Sequence, residues 1–131
     1  MLERFDVRQW LPALWVGSLL MVVLASLWPE GSRVDEAIGS VWWNIGHVPV
    51  YGVLTLLTLL TAAQRFLLTP LRLFWLAMGV GLFGVLMEVL QPYFGRTADV
   101  GDALSNLMGI LLALVIFYFS RWWQGTRPRA N

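Results

Sequence analysis

Polar residues in this chain come in short clusters, and the stretches between them carry almost no charge. A bilayer core takes about 20 apolar residues in helical form. Four stretches reach that length or approach it. The first runs from Trp10 to Trp28 without a charge, with Pro12 near its start, where a missing N–H does no harm. The second runs from about Gly46 to Ala62, the third from about Leu71 to Gln91 and the fourth from about Gly101 to Phe119. Pro70 opens the third and Pro92 stops it, and the connections at Leu67 to Arg72 and Pro92 to Val100 are short. The longer segment from Pro29 to Ile45 has Ser32 three residues before Asp35, like a helix N-terminus. Trp42 and Trp43 follow, residues that suit the headgroup region. The pattern predicts an all-α membrane protein with one domain over residues 1–131. It is a bundle of four transmembrane helices with a short interfacial helix between the first two. The first stretch is too long for a signal-peptide core and no small-x-small site follows it, so it is read as a retained span.

Composition sharpens this. Only 13% of residues are charged and 58% are apolar, whereas a soluble domain carries roughly a quarter charged residues. A soluble enzyme, a disordered chain and a nucleic-acid binder are thereby excluded. The net charge of +1 is too small for a general polyanion partner. With no cysteine there is no disulfide and no thiolate nucleophile or ligand. Four spans in 131 residues leave little interior, which leaves room for a homo-oligomer. The eight tryptophans read mostly as interfacial belt residues.

Charge also orients the bundle. All nine basic residues are arginine. With the N-terminus in the cytoplasm, seven of the nine (Arg4, Arg8, Arg65, Arg72, Arg121, Arg127 and Arg129) lie inside, and Arg33 and Arg96 lie outside. The excess of inner arginines predicts that both termini are cytoplasmic. The second span then enters from outside at His47, the third leaves toward the outside at Glu88 and Gln91, and the fourth enters at Asp102 and Asn106. The strongly polar residues of three spans therefore gather at one end.

Their spacing puts them on shared faces. His47 and Tyr51 are four apart, Glu88 and Gln91 three, Asp102 and Asn106 four, with Gly109 extending the last face inward. Arg96 and Asp99 lie on the connecting loop, where Arg96 is placed to fold back onto Glu88 or Asp99 as a lid. Gly101, Ser105 and Gly109, with Gly81 and Gly84 on the third span, form small-residue stripes that let helix backbones approach. Each residue taken singly has a plain structural explanation. His47 suits a helix start, Tyr51 packing, Asp102 the positive end of a helix dipole and Asn106 interhelical glue. Glu88 is the exception, because a charge within a span costs about 2.5–3.5 kcal/mol at the centre, less toward the interface, and marks a functional candidate.

These residues also carry a resemblance. Together His47 and Tyr51, Glu88-Val89-Leu90-Gln91, and then Arg96, Asp99, Asp102, Asn106 and Gly109 resemble the ordered polar pattern of the VanZ-like family of small bacterial membrane proteins, over roughly residues 44 to 115. The chain departs from that pattern where members often carry Asp-Lys before the histidine; here the residues are Trp43-Asn44. The resemblance implies a bacterial inner-membrane protein of the cell envelope, related to proteins of low-level resistance to the glycopeptide teicoplanin. It implies no settled biochemical activity.

Three classes of function stay open. As an enzyme, His47 would act as general base, with Glu88 or Asp102 orienting it or serving as acid, on a membrane lipid or lipid-linked precursor. Tyr51, Gln91, Arg96, Asp99 and Asn106 would bind that substrate. His47, Glu88, Asp99 and Asp102 could also hold a divalent cation of the hard, oxygen-preferring kind. With the three acids ionised, Arg96 charged and His47 neutral, the cluster sums to −2, so an anionic phosphate would need a cation beside it. As a non-enzymatic protein, the chain would bind an envelope lipid or assist a membrane partner. A proton-coupled transporter fits less well, because the polar residues stop at one end.

Overall fold

The structure, a computed structural model, describes residues 6–28, 40–96 and 98–126. Four helices make the bundle: α1 (Leu11–Ser26), α2 (Ser40–Ala63), α3 (Pro70–Leu90) and α4 (Val100–Thr126). Short 3₁₀ turns at Val7–Trp10 and Gln91–Phe94 extend α1 and α3, and no strand occurs among the described residues. All four helices are long and apolar enough to cross a membrane. The chain is therefore a multi-pass all-α protein, as its hydrophobic pattern predicts.

Local chemistry sets the helix starts. Asp6 caps the turn before α1 by accepting the Arg8 backbone N–H at 3.0 Å, and Pro12 sits in the first turn of the helix. Thr69 caps α3 by accepting the Arg72 N–H at 3.3 Å, and the Arg72 guanidinium donates to the Leu67 carbonyl at 2.7 Å. Asp99 caps α4 by accepting the Gly101 N–H at 2.8 Å. Gly95, at φ 76°, turns the chain out of the 3₁₀ segment, a left-handed conformation that a glycine adopts without steric cost.

Two boundaries differ from the apolar-run reading. Ser40 to Ile45 belong to α2, so Trp42 and Trp43 stand on the helix of the second span and not on a separate interfacial one. The sequence from Ser40 to Ile45 contains no glycine or proline to stop a helix. The remainder of the expected interfacial helix, residues 29–39, lies outside the described residues. α4 likewise runs past Phe119 to Thr126, because nothing breaks the helix before Gly125.

The central pair is α2 and α4, with α1 and α3 packed against it. A glycine contact sets their approach. A Cβ on Gly109 would overlap the Val48 carbonyl oxygen and lie 2.9 Å from the Gly52 nitrogen. On α3, a Cβ on Gly84 would lie 3.1 Å from Tyr51 Cε1 and 3.3 Å from Asn106 Nδ2. Gly109 and Gly84 are thus the positions of the small-residue stripes that close approach requires. Gly81 meets only ordinary contact with Ile110. Below the polar end the core is apolar: Val22, Tyr51, Leu54, Leu59, Val80, Met87, Ile110, Ala113 and Phe117 are buried. Trp15 joins this interior and donates its indole N–H to Thr58 Oγ1 at 2.9 Å, so it ties α1 to α2 rather than sitting in a belt. Outward-facing Leu20, Leu82 and Val115 are each 60% exposed or more, the surface that lipid tails cover.

The Gly109 contact generates a stability prediction. Gly109→Val has only helix backbone to push against, so it costs about 3 kcal/mol or more, at or above the usual overpacking range. Gly79 has open space around its Cβ position, so Gly79→Ala changes stability by less than about 1 kcal/mol. Thermal melts of the two variants in detergent check this; equal melting temperatures would remove the close contact from the account.

Candidate functional site

The polar residues converge at the end of the bundle formed by the C-termini of α1 and α3 and the N-termini of α2 and α4. His47, Tyr51, Glu88, Gln91, Arg96, Asp102 and Asn106 are all buried there, none more than 9% exposed. Seven of the eight candidate residues are therefore brought together. The eighth, Asp99, is exposed and spends its carboxylate on capping α4. Its backbone carbonyl also accepts the Asp102 N–H at 3.0 Å. Asp99 positions the site from outside and is not among its grouped acids.

Asp102 lies at the centre. Its Oδ1 is 3.6 Å from His47 Nδ1, and its Oδ2 is 3.9 Å from Arg96 Nη2. The helix start explains the placement: Asp102 stands in the first turn of α4, where a negative charge meets the positive end of the helix dipole. His47 lies on α2 one turn before Tyr51, and their rings stack with centroids 6.4 Å apart. The Tyr51 hydroxyl faces Ser26 of α1. Glu88 lies on α3 one turn beyond Gly84, near the backbone N–H of Asp99 and the Arg96 charge.

Arg96 folds back over the bundle near Glu88, as the lid reading expects, and gains further partners. Its guanidinium faces Asp102 and donates through Nη1 to the carbonyls of Ala25 and Ser26, at 3.3 and 3.4 Å. Those carbonyls end α1, where the last turn of a helix leaves acceptors open and the dipole favours a cation. One side chain thus ties the α3–α4 connection to α1 and α4. Ser26 and this helix end were missed in the sequence, which assigned the first span no part in the site. The available signal was faint: α1 carries two serines, and Ser26 is the one in its last turn.

The hydrogen-bonding balance of the cluster is incomplete. Among the described residues, Glu88 Oε2, both polar atoms of the Gln91 amide and both of the Asn106 amide are buried without a hydrogen-bond partner. Leaving a buried polar group unmatched costs about 1–3 kcal/mol. Native proteins match nearly all such groups, so several in one cluster call for an explanation. His47, Glu88 and Asp102 each offer one ligand atom within 4.8 Å of the other two. The two grouped carboxylates and the Arg96 guanidinium sum to −1 with neutral His47, and the Asp99 charge, close enough to act on Glu88, brings the sum to −2. No family model, curated protein or solved structure matches the chain.

The Arg96–Asp102 contact can be measured as a coupling. In a double-mutant cycle with Arg96→Ala and Asp102→Asn, unfolding in detergent gives an interaction energy of about 0.5–3 kcal/mol. Strict additivity would mean that Arg96 holds the site through the α1 carbonyls alone.

Proposed function

We propose that the protein is a VanZ-like protein of a bacterial cell membrane, both termini cytoplasmic, whose outward-facing pocket binds the polar head of an envelope lipid or lipid-linked precursor. The observation that carries this reading is the set of unmatched buried groups on α3 and α4. Glu88 and Gln91 come from one helix and Asn106 from the other, all at one end of the bundle. A purely structural cluster gains from satisfying its members internally. Groups left open at a helix end beside the headgroup region suit a ligand that is part lipid and part polar. The ordered polar residues that resemble the VanZ-like pattern are, Asp99 apart, the ones buried together at this end, and Gly109 of the same pattern sets the approach of α2 to α4. Teicoplanin resistance, the property of the family's namesake, would then be a by-product of handling an envelope lipid.

A second reading is acid–base chemistry on the same ligand. The observation in its favour is the approach of Asp102 to His47, which lets the carboxylate orient the imidazole as a general base. Binding and reaction share one pocket and one class of ligand. They differ in whether the lipid leaves changed.

Two experiments test the proposal. Lipids that copurify with the wild-type protein are compared by mass spectrometry with those on Gln91→Leu and Asn106→Leu. Each substitution removes an unmatched amide for an apolar group of similar size, so the expected result is loss of a specific lipid with the melting temperature kept or raised. The same lipid profile on all three proteins would overturn the binding site, and so would a fall in melting temperature without loss of lipid. The orientation is read with single cysteines, because the chain has none of its own. Tyr93 and Leu67 are 82% and 81% exposed on opposite connections. Tyr93→Cys is labelled by a membrane-impermeant maleimide on intact cells, and Leu67→Cys only after permeabilisation. The reverse pattern would place the pocket at the cytoplasmic face.

A further inference from the structure

We propose that His47, Glu88 and Asp102 form a site for one hard divalent cation, with Asn106 and Gln91 as reserve oxygen donors. The three groups come from three different helices, α2, α3 and α4, yet each presents a ligand atom within 4.8 Å of the others. Mg²⁺, Mn²⁺ and Ca²⁺ bind oxygen at roughly 2.0–2.6 Å, so donors on opposite sides of one ion stand roughly 4–5 Å apart. The cluster fits that span without a change of helix register.

An acidic pair with a histidine is common without a metal, and the buried amides are what point to a ligand. Asn106 is 4% exposed and Gln91 0% exposed, and neither amide has a hydrogen-bond partner among the described residues. Asn106 stands one turn inward from Asp102 on the same face, with its Nδ2 3.3 Å from the Cβ position of Gly84, one turn before Glu88. The amide therefore lies between the helices that bear the two carboxylates. Gln91 stands one turn after Glu88. Amide carbonyls of Asn and Gln join carboxylates as donors to hard cations, and an oxygen-rich set with one imidazole selects Mg²⁺, Mn²⁺ or Ca²⁺ over ions that prefer thiolates.

Charge points the same way. Two carboxylates from facing helices repel each other in an apolar surround. Arg96 acts on both, and its Nη2 approaches Asp102 at Oδ2, while Oδ1 faces His47. The guanidinium and a metal ion would thus use different oxygens of one carboxylate. A dication changes the cluster from −1 to +1, a net sum of the two carboxylates, Arg96 and the ion. The pocket then attracts a phosphate that it would otherwise repel. The ion site stands on its own geometry and is tested without any lipid.

The probe is Mn²⁺ added to protein purified in detergent without a polyhistidine tag. The expected result is one bound Mn²⁺ per chain by electron paramagnetic resonance, with nitrogen coupling from an imidazole. His47 is the single histidine of the chain, so that coupling identifies it. Glu88→Gln and Asp102→Asn each weaken binding tenfold or more, whereas Asp6→Asn, at the opposite end of α1, leaves it unchanged. Absence of binding at millimolar Mn²⁺, bound Mn²⁺ without nitrogen coupling, or wild-type affinity in Glu88→Gln overturns the proposal. Should the variants fail to fold, the nitrogen coupling of the wild-type protein decides alone. A specific lipid that copurifies with protein unable to bind Mn²⁺ sinks the ion site and spares the lipid pocket; bound Mn²⁺ with no specific lipid does the reverse.

Discussion

The close approach of α2 to α4 at Gly109 is the constraint on which the rest of this bundle depends. The backbone of Gly109 lies against the Val48 carbonyl, and a single added carbon atom has nowhere to go. Val48 follows His47 directly, and Gly109 lies two turns along α4 from Asp102. Fixing the first pair in contact therefore fixes how far His47 stands from Asp102. Gly84 does the same for α3, because its missing side chain leaves room for the Tyr51 ring and the Asn106 amide. Lipid tails are as apolar as leucine, so they do not drive such helices together; packing and polar contacts must. The glycines supply the packing, and packing that tight has one register.

That register makes burial of charge tolerable without completing it. Asp102 meets a helix N-terminus, an imidazole and a guanidinium. Arg96 in turn meets Asp102 and the open carbonyls at the end of α1. These contacts link three of the four helices at this end of the bundle. Glu88 Oε2, Gln91 and Asn106 do not enter these contacts, and they remain at the cost of their desolvation. Stability alone favours leucine at Gln91 and Asn106. Natural proteins keep such costs where a ligand offsets them, which is why function is assigned to the unmatched groups rather than to the ion pair.

The fold was legible in the sequence because membrane spans are written in long apolar runs, and because successive spans run in alternating directions, which puts the polar ends of three of them on one side. His47, Glu88 and Asp102 could be grouped on that ground alone, before any contact was known. What the sequence leaves out has physical reasons. Spacing points Arg96 at nearby charges, Glu88 among them, but not at the α1 helix end that a flexible side chain can reach. Asp99 stands at the edge of the cluster, because two residues before Gly101 its carboxylate caps α4. The count of tryptophans assigns most of them to a belt and says nothing of the Thr58 hydroxyl that receives the Trp15 indole N–H. The second span begins at Gly46, as its apolar run indicates, while α2 starts at Ser40, because apolarity marks the bilayer, whereas a helix continues until its backbone is stopped.

The position of the cluster also bears on the kind of function it can have. α1 carries no ionisable residue from Leu11 to Ser26, and α2 carries none from Gly52 to Ala63. Between Arg72 and Glu88 on α3, and between Asp102 and Tyr118 on α4, there is none either. A proton or ion entering the cluster therefore meets an apolar interior, in which Leu54, Leu59, Val80, Ile110, Ala113 and Phe117 are each buried. Transport requires a second set of groups to receive the charge, and moving a bare charge through that core would cost several kcal/mol at the least. The polar groups of the cluster end where this apolar core begins. That arrangement supports the proposed binding of a ligand at one end of the bundle more than a relay across it, which would need further polar groups along the core.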